Sequence, residues 1–316
     1  MPSVPAPEVS VLVVAYQSAA FLTECFTSIA ASAAQTPHEI LLIDNGDGSS
    51  EAFARANFPH VRIVPSEGNI GFGAGNNRLA AQARAPRLLL VNPDAAPVAG
   101  AIDRLVAFSK QHPEAAAWGG LSYFPHGELD PSNFMALPTP RDFVVSVVDS
   151  RPLRRGGLPV GTKEPGPVEV LSGGFMMVRA DVWREIQGFD ESFFLYAEEI
   201  DFFARIHALG YAVLVDPAVR VIHSPGSGAS MSGSRLLYLT TGRMHYARKH
   251  FSKLGAWMTG SAFVLTAAKY AFLCPVLAKL KPHDAERLMQ LSKGWGTVLR
   301  QRARWWQGYG SRSARG

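Results

Sequence analysis

The stretch VSVLVV at residues 9–14, followed by Ala15-Tyr16-Gln17-Ser18, indicates the architecture of the chain. A short run rich in β-branched residues, without polar alternation, is typical of a strand buried on both faces. Similar runs follow it: EILLI at 39–43, VRIV at 61–64 and LLLV at 88–91. Stretches of helical length and composition lie at about 18–34, 49–58, 74–84 and 98–111. This alternation predicts a doubly wound parallel sheet over residues 1–115, with helices on both faces.

The remaining sequence divides into three parts. Residues 120–167 are rich in proline and lack a sustained periodicity, which predicts a loop-rich connection. Residues 168–230 predict mixed α/β structure, and from residue 235 the pattern is helical. Within the mixed part, ordered structure is expected to resume with the segment 168–178. Helices at about 180–187 and 197–209 and strands near 211–215 and 219–222 are predicted to follow it.

Composition excludes several classes of protein. With 316 residues, 47% of them apolar and 18% charged, the chain is long and apolar enough to fold around a substantial core. Cys25 and Cys274 are too few for a disulfide framework or a cysteine-rich zinc site, which fits a reducing cytosol. No lysine or arginine precedes Arg55, so we expect no secretory signal and a cytosolic amino terminus.

Charge is unevenly distributed along the chain. Residues 1–230 carry 16 basic and 24 acidic side chains, a net charge of −8, whereas residues 231–316 carry 15 and 2, a net charge of +13. A cationic tail favours an anionic partner such as a phospholipid surface, and the acidic body argues against nucleic acid.

Polar side chains follow each of the predicted parallel strands. They include Tyr16 after the first strand, Asp44 and Asn45 after the second, Asn69 after the third, and Asn92 and Asp94 after the fourth. The carboxyl ends of parallel strands meet at one edge of a sheet, where ligands bind, although each residue alone is also an ordinary turn or cap residue. AYQSAAF has no glycine, which excludes a dinucleotide-binding loop after the first strand. The glycines of residues 71–77 match neither the GxGxxG spacing of a dinucleotide-binding loop nor the sequence of a P-loop.

Three further positions carry side chains suited to chemistry. Asp94 can hold a divalent cation through its carboxylate, or simply cap the following helix. Glu198-Glu199-Ile200-Asp201 lies among aromatic residues at a predicted helix start, where desolvation raises a carboxyl pKa toward that of a general base. The helix dipole alone also favours acids there. His223 ends an apolar strand and precedes the loop Ser224-Pro225-Gly226-Ser227-Gly228. It is either an ordinary packed residue or a metal ligand.

Taken in order, seven segments resemble glycosyltransferase family 2, and within it most closely the bacterial rhamnosyltransferases. The segments are VSVLVVAYQS, LLIDNGDGS, EGNIGFGAGNN, LLLVNPDA, LSGGFMMVRADVW, GFDESFFLYAEEIDFFARIHALGY and VRVIHSPGSG. The resemblance implies a GT-A fold, an α/β Rossmann-like and mostly parallel sheet over residues 1–230, with a C-terminal helical extension at 231–316. Residues 1–115 would form its nucleotide-binding half and residues 168–230 its acceptor and catalytic half.

The resemblance also implies roles for individual residues. A family member moves a sugar from a nucleotide diphosphate to an acceptor hydroxyl with inversion, usually with Mg²⁺ or Mn²⁺. Asn92-Pro93-Asp94 occupies the position of the family's DxD motif with one carboxylate, so Asp94 and His223 would bind the metal. Glu199 would be the catalytic base, one methylene longer than the family's aspartate. The remaining roles are nucleotide or donor binding by Ala15, Tyr16, Asp44, Asn45, Asn69, Gly71 and Asn92, acidic support by Glu198 and Asp201, and the acceptor side at Gly173 and Gly174.

The resemblance leaves three interpretations open. The first is a transferase that uses dTDP-rhamnose and a glycan or lipid-linked acceptor in cell-surface polysaccharide synthesis. The second is a family member that uses a UDP-hexose or UDP-galactofuranose. The third is an inactive nucleotide-sugar or glycan-binding module, which the incomplete DxD motif and the glutamate at the base position keep open. Oligomeric state is not indicated by any feature.

The basic tail contains two apolar segments, 256–268 and 270–278, which are separated by Lys269. Each is shorter than the roughly 20 residues of a membrane span, and Pro275 would kink a joined helix. With the cations and tryptophans that follow, the segments predict an interfacial region on the inner face of the cytoplasmic membrane. A spanning helix, a helical subdomain packed on the sheet and a basic dimer contact are the alternatives.

Overall fold

Nine strands form one sheet within the residues that the computed structural model describes, namely 5–130, 133, 136–149, 161–224 and 233–310. The strands are β1 Val9–Ala15, β2 His38–Asp44, β3 Arg62–Ile63, β4 Arg87–Val91, β5 Ala95–Pro97, β6 Ala115–Tyr123, β7 Gly166–Pro167, β8 Phe175–Arg179 and β9 Ala212–His223. Their order is β3-β2-β1-β4-β8-β6-β9-β5, and β7 pairs with β9. The first four are parallel, which confirms the predicted first half. Beyond β4 the sheet is mixed, because β8 is antiparallel to both of its neighbours.

The helices of the described residues are α1 Leu22–Ser32, α2 Ser49–Asn57, α3 Phe72–Gln82, α4 Ala101–Gln111, α5 Pro140–Ser146, α6 Ala180–Glu185, α7 Glu198–Ala208, α8 Gly233–His250, α9 Lys253–Leu280, α10 Ala285–Arg300 and α11 Arg302–Trp305. The chain divides into two compact units. The described residues of 1–137, 154–191 and 199–225 form the sheet unit, and those of 138–153, 192–198 and 226–316 form the helical unit.

The core of the sheet unit forms around β1. Val9, Val11 and Val13 point to one face, where they share an apolar cluster with α1 and α4. Ser10 and Leu12 on the opposite face are also fully buried. Both faces of β1 are therefore covered, as an apolar run without alternation predicts.

The second half of the sheet differs from the prediction in its strand boundaries. Strand β8, Phe175–Arg179, begins near the end of the segment 168–178, where ordered structure was expected to resume. The two strands predicted near 211–215 and 219–222 are one continuous strand, β9, although it contains Pro217. The register of β9 with β6 shifts between Gly119 and Leu121, next to that proline. Gly120 makes this shift possible, because a Cβ there would lie 2.4 Å from the Val219 carbonyl oxygen.

The proline-rich connection also contains structure that the sequence analysis missed. β6 begins before it, and α5 lies inside it with Pro140 at the first turn. Thr139 and Asp142 form a capping box at the start of α5, in which Asp142 Oδ2 accepts hydrogen bonds from the Thr139 N–H and hydroxyl at 2.8 and 2.7 Å. Residues 150–160 of the connection lie outside the described residues.

The helical unit has its own apolar core, built from α5, α8, α9, α10 and α11. Its buried members include Phe143, Leu236, Met244, Phe263, Val298 and Trp305. Trp305 is fully buried, and its indole N–H donates to the Val298 carbonyl at 2.7 Å. The polar atom of this large side chain is thus satisfied inside the core.

The two apolar segments predicted for the tail are a single helix, α9, which continues through Lys269 and Pro275. Pro275 has no N–H to donate to the Ala271 carbonyl one turn earlier, and the Ser292 hydroxyl of α10 donates to that carbonyl at 3.0 Å instead. The Lys269 ammonium donates to the Val147 carbonyl at the end of α5, at 2.5 Å. Both features that predicted an interruption are therefore compensated by neighbouring elements. Among the described residues, α9 is the one helix long and apolar enough to cross a membrane.

A buried carboxylate holds together the edge of the sheet unit at the start of β1 and β2. Glu39 of β2 pairs in register with Ser10 of β1, and its carboxylate accepts from the Ser10 hydroxyl at 2.7 Å. It also accepts from the Arg84 N–H at 2.8 Å and from the Arg84 and Arg62 guanidinium groups. Burial alone would raise the pKa of the Glu39 carboxyl, but these hydrogen bonds outweigh it and hold the pKa below its usual value.

We expect Glu39→Gln to lower the free energy of unfolding by about 1–3 kcal/mol at neutral pH, because buried donors lose a charged acceptor. The pKa of Glu39 is lower in the folded state, so its contribution is present above the ordinary value of 4.5 and is lost as the pH falls through the folded-state value. Urea denaturation of both proteins across this range measures the effect. The difference between them should narrow below pH 4.5.

Glu51→Gln is the matched control, because Glu51 pairs with Arg55 on the exposed face of α2. Its effect should stay below about 0.5 kcal/mol. Equal effects of the two substitutions would contradict a structural role for Glu39.

Candidate active site

The carboxyl ends of β1 and β2 lie side by side. Ala15 pairs in register with Asp44, and the Asn45 N–H donates to the Ala15 carbonyl at 2.7 Å. The buried Asp44 carboxylate accepts from the Gly46 N–H at 2.7 Å and from the Glu51 N–H at 3.0 Å. Asp44 therefore shapes the turn after β2 and satisfies an N–H in the first turn of α2. Its predicted contact with a nucleotide stays a prediction.

The start of α3 is attached to the same edge through Asn45. The Asn45 side-chain amide donates to the Gly71 carbonyl at 2.9 Å, and the Gly71 N–H donates to the Asn69 side chain at 3.2 Å. The buried Asn45 Oδ1 has no hydrogen-bond partner within the described part of the chain. An unsatisfied buried acceptor costs about 1–3 kcal/mol and is the kind of atom that a ligand or an ordered water satisfies.

Tyr16 and Gln17 form the turn between β1 and α1. The Tyr16 side chain is 54% exposed, and Gln17 has a φ of 51°, which is uncommon for a residue other than glycine. An exposed aromatic ring at this edge can stack on a flat ligand.

The turn after β4 is joined to the segment before β8. The Asn92 N–H donates to the Gly174 carbonyl at 2.9 Å, and Gly173 lies against the ring of Phe72 at the start of α3. Gly173 and Gly174, predicted for the acceptor side, are therefore adjacent to Asn92 and to the loop that ends at Gly71.

Asp94 and His223 are brought together by the pairing of β5 with β9, in which Ala95 lies opposite His223. The His223 Nε2 atom is 3.6 Å from Asp94 Oδ1, and the His223 Nδ1 atom is 2.8 Å from Asp130 Oδ2. The hydrogen bond with Asp130 and, after it, the nearby carboxylate of Asp94 raise the pKa of His223 to about 9, although burial acts in the opposite direction. The imidazole thus lies between two carboxylates, one on each ring nitrogen.

Asp130 was missed by the sequence analysis. It is buried, and its N–H donates to the Ser122 carbonyl of β6 at 2.9 Å. The Asn133 side chain donates to the carbonyls of Ser122 and Asp130 at 2.8 and 2.7 Å. No spacing motif connects Asp130 with His223, and the segment containing Asp130 was predicted only as a loop.

The chemistry of this pair fits a divalent cation. Asp94 offers a carboxylate oxygen and His223 an imidazole nitrogen, and Asp130 orients the ring through its other nitrogen, as carboxylates commonly do for histidine ligands. Among the described residues, no group of three or more histidine, cysteine, aspartate or glutamate side chains is arranged to hold a metal. A site with two protein ligands is the kind that Mg²⁺ or Mn²⁺ occupies together with substrate phosphates and water.

The acidic residues at the start of α7 have different environments. Asp201 is fully buried and accepts from the Arg205 Nε–H at 2.9 Å, and Arg205 also donates to the Ile186 and Gly188 carbonyls at 2.6 and 2.8 Å. Asp201 therefore has a structural role in anchoring α7. Glu198 is buried and Glu199 is half-buried.

The backbone before these glutamates is strained. Tyr196 and Ala197 have φ values of 66° and 71°, in the left-handed region that residues other than glycine rarely adopt. Such conformations cost about 1–3 kcal/mol each and are concentrated at functional sites.

Aromatic rings connect α7 with α3. Phe202 lies 5.0 Å from Phe189 between ring centroids, and Phe189 lies 6.0 Å from Phe72. Phe72 also lies against Gly173. The structure thus brings together Asp94 with His223, Asn45 with Gly71, and Asn92 with Gly174, whereas the approach of Glu199 to Asp94 and His223 stays a prediction. Residues 225–228 of the predicted flexible loop lie outside the described residues.

Comparison with known proteins identifies the family of this chain. The sequence profile of Glycosyl transferase family 2 matches residues 10–186. The N-acetylglucosaminyl-diphospho-decaprenol L-rhamnosyltransferase of Mycobacterium tuberculosis is 30% identical over 232 residues, which cover 63% of this chain and 71% of that protein. The rhamnosyltransferase WbbL of Escherichia coli (strain K12) is 29% identical over 102 residues, 32% of each chain.

Two solved structures share the fold. The mannosyltransferase PcManGT of Pyrobaculum calidifontis, in complex with GDP-Man and Mn²⁺, has a TM-score of 0.56 and 16% identity, covering 95% of this chain and 88% of that one. GalNAc-T7 with UDP, GalNAc and Mn²⁺ has a TM-score of 0.59 and 15% identity, covering 94% and 56%. The sheet is therefore of the GT-A type, followed by C-terminal helices. The profile match spans more than half of the chain, so this protein belongs to glycosyltransferase family 2 and is a glycosyltransferase related to the rhamnosyltransferases.

Proposed function

We propose that the protein is an inverting, cation-dependent transferase that moves L-rhamnose from dTDP-rhamnose to a lipid-linked glycan at the inner face of the cytoplasmic membrane, in cell-surface polysaccharide synthesis. The observation that carries this proposal is the grouping of Asp94, which follows β4, with His223 at the end of β9 and Asp130 after β6, in a chain of this family. Both relatives described above are rhamnosyltransferases, which supports rhamnose as the sugar. A UDP-hexose or UDP-galactofuranose donor is the alternative.

The donor would lie along the edge formed by the turns after β1, β2 and β4. Tyr16 offers an exposed ring for the base, and the turns at Ala15, Asp44 and Asn45 surround that position. The unsatisfied Asn45 Oδ1 supports a ligand or an ordered water near this edge. The loop of Asn69 and Gly71 and the turn at Asn92 would border the diphosphate.

Asp94 and His223 would hold the cation, and Asp130 would act as a positioning residue by fixing the orientation of His223. A bound Mg²⁺ or Mn²⁺ would neutralise negative charge on the departing nucleotide diphosphate. The protein's own contribution is to keep one carboxylate oxygen and one imidazole nitrogen facing each other, 3.6 Å apart.

Glu199 would act as the general base. Its carboxylate takes the proton of the acceptor hydroxyl while the hydroxyl oxygen forms a bond to the anomeric carbon. The bond from that carbon to the diphosphate oxygen breaks on the opposite face, and its electron pair leaves with the nucleotide diphosphate. A single displacement inverts the anomeric configuration and needs no protein nucleophile. Glu198 would support this acidic site, and Gly173 and Gly174 would leave room for the acceptor.

A lipid-linked acceptor requires the enzyme to reach a membrane surface. α9 exposes large apolar side chains on one face, including Leu265, Phe272, Leu273, Val276 and Leu280, which are 53–72% exposed. Exposed apolar stretches of this kind mark interaction sites, and the many cations of the helical unit favour anionic lipid.

The proposal predicts that the protein, with Mn²⁺ and acceptor, releases nucleotide diphosphate from dTDP-rhamnose faster than from UDP-glucose or UDP-galactofuranose. Glu199→Gln should lower turnover by about 10²-fold or more with little change in donor affinity, because the shape is kept but the base is lost. Steady-state kinetics and donor binding by calorimetry measure the two quantities.

Glu199→Asp is the matched control, because it keeps a base at the same position. It should retain far more activity than Glu199→Gln. Near-normal turnover of Glu199→Gln would remove Glu199 from the role, and absence of transfer from every donor would leave the inactive binding module.

Asp130→Ala should weaken Mn²⁺ binding by about 10- to 100-fold, because His223 loses the carboxylate that orients it. Asp130→Asn keeps a hydrogen-bond acceptor without the charge and should have an intermediate affinity. Calorimetric titration with Mn²⁺ measures both. Asp103→Ala is the control, because it removes a carboxylate that binds Thr36 in the same unit and should leave Mn²⁺ affinity unchanged. Equal Mn²⁺ affinities of the wild type and the three variants would contradict the assigned role of Asp130.

The protein should bind vesicles of anionic phospholipid at low salt and dissociate at high salt. Phe272→Asp should lower the partition coefficient by about tenfold or more, since it replaces exposed apolar surface with a negative charge. Val148→Asp provides the control, because Val148 is 85% exposed beside α5. Co-sedimentation that is indifferent to salt and to Phe272→Asp would refute membrane association through α9.

A further inference from the structure

The helical unit contains an apolar groove of about 640 Å³ between α9 and α11. Its walls are formed by Ser261, Val264, Leu265, Arg302, Ala303, Trp306 and Gln307. The volume lies within the range of about 300–1,000 Å³ typical of small-molecule sites. No residue assigned above to donor, cation or base lines this groove.

The floor of the groove is fixed by two tryptophans and a glycine. Trp305 is buried in the core of the helical unit, with its ring 5.9 Å from that of Phe263, and this anchors α11. The next residue, Trp306, lies flat against α9 at Gly260, where a Cβ would come within 2.7 Å of the indole ring. Because Gly260 has no side chain, the indole can approach the helix and provide an apolar surface in the groove.

The groove is continuous with the exposed apolar face of α9. Leu265 lines the groove and is 58% exposed, and Phe272, two helical turns further along, is 70% exposed on the same face. Lys269 lies between these two residues on the same face, and its ammonium donates to the Val147 carbonyl at the end of α5, at 2.5 Å. Single apolar residues scattered over a protein surface are common and indicate no function. An apolar groove that adjoins several exposed apolar side chains indicates a binding site.

Charge at the rim distinguishes this groove from a simple packing defect. Arg302 is one of its lining residues, and Arg300 and Arg304 lie within two positions of it. The acidic residues of 231–316 are Asp284 and Glu286 alone, so the helical unit carries a strong positive charge. Arginine binds phosphate oxygens in a bidentate manner, and the groove therefore combines an apolar channel with a diphosphate-binding cation.

We propose that this groove binds the first isoprene units of a polyprenyl diphosphate, with the diphosphate at Arg302. The inference rests on the proposed function, in which the acceptor is lipid-linked, and the relative named for a diphospho-decaprenol substrate supports that class of lipid. The ligand is a single lipid chain in a defined site, in addition to the bilayer surface that α9 contacts.

The test uses the full chain in detergent-free buffer, with farnesyl diphosphate, geranyl diphosphate and inorganic diphosphate as probes in calorimetry. Farnesyl diphosphate should bind about tenfold or more tightly than geranyl diphosphate, because one more isoprene unit is buried. Inorganic diphosphate should bind most weakly. An affinity that is independent of chain length would overturn the proposal.

Ala303→Trp fills the groove from the exposed side of α11, and Ser261→Phe fills it from α9. Each should lower farnesyl diphosphate affinity by about tenfold or more, whereas Ala303→Ser leaves the space open and should bind as the wild type does. Arg302→Gln should weaken binding, and Arg287→Gln, with the same change in charge elsewhere in the helical unit, should not. Circular dichroism identifies any variant that fails to fold, and wild-type affinity in a folded Ala303→Trp or Ser261→Phe protein would overturn the proposal.

Transfer assays separate this inference from the proposed function. Ala303→Trp should raise KM about tenfold or more for a polyprenyl-linked acceptor and leave KM unchanged for the same glycan without the lipid. Chain-length-dependent binding in a protein that transfers no sugar would support the groove and refute the function. Transfer to the lipid-linked acceptor with an unchanged KM in Ala303→Trp would do the reverse.

Discussion

The antiparallel pairing of β5 with β9 is the constraint on which the candidate site depends. It sets Ala95 opposite His223, and the Ser224 N–H donates to the Asp94 carbonyl at 2.9 Å. These are backbone interactions, so the sheet itself positions the two turns that carry Asp94 and His223. A side-chain substitution at either residue can therefore remove a proposed cation ligand and leave the turn in place, which is why chemistry and stability can be tested separately at this site.

Much of the sheet unit could be predicted from sequence, because β1, β2 and β4 are aliphatic runs and the polar residues follow them directly. Strand β6, with the sequence AAAWGGLSY, could not, since it has no β-branched residue and owes its strand conformation to pairing with β8 and β9. Asp130 was missed for a related reason. Its position depends on Asn133 and Ser122, whose hydrogen bonds close a loop that has no local signature. The conformation of β6 and the position of Asp130 therefore depend on contacts between distant segments and not on the local sequence pattern.

The acidic cluster before and within α7 shows how similar side chains take different roles. Sequence reasoning placed Glu198 and Asp201 together as support for Glu199. Asp201 instead forms a buried ion pair with Arg205, which also satisfies two backbone carbonyls. Burial with complete pairing suits a structural carboxylate, whereas a general base must remain able to exchange a proton with substrate. Glu199 is half-buried and lies two positions before the anchored Asp201, and its role as the general base stays a prediction.

The continuity of α9 determines what the helical unit can present to its surroundings. Lys269 and Pro275 were expected to divide the segment. The Val147 carbonyl instead accepts from the Lys269 ammonium, and the Ser292 hydroxyl donates to the Ala271 carbonyl, to which Pro275 has no N–H to donate. These polar groups are satisfied within the helical unit, and the face of α9 that carries Lys269 also exposes large apolar side chains before and after it. A helix broken at Pro275 would turn part of that face away and would expose the Ala271 carbonyl to an apolar environment, where an unsatisfied carbonyl is costly. The Ser292 hydrogen bond satisfies the Ala271 carbonyl, and α9 continues through Pro275 to Leu280, so the packing of α10 supports the C-terminal part of this helix.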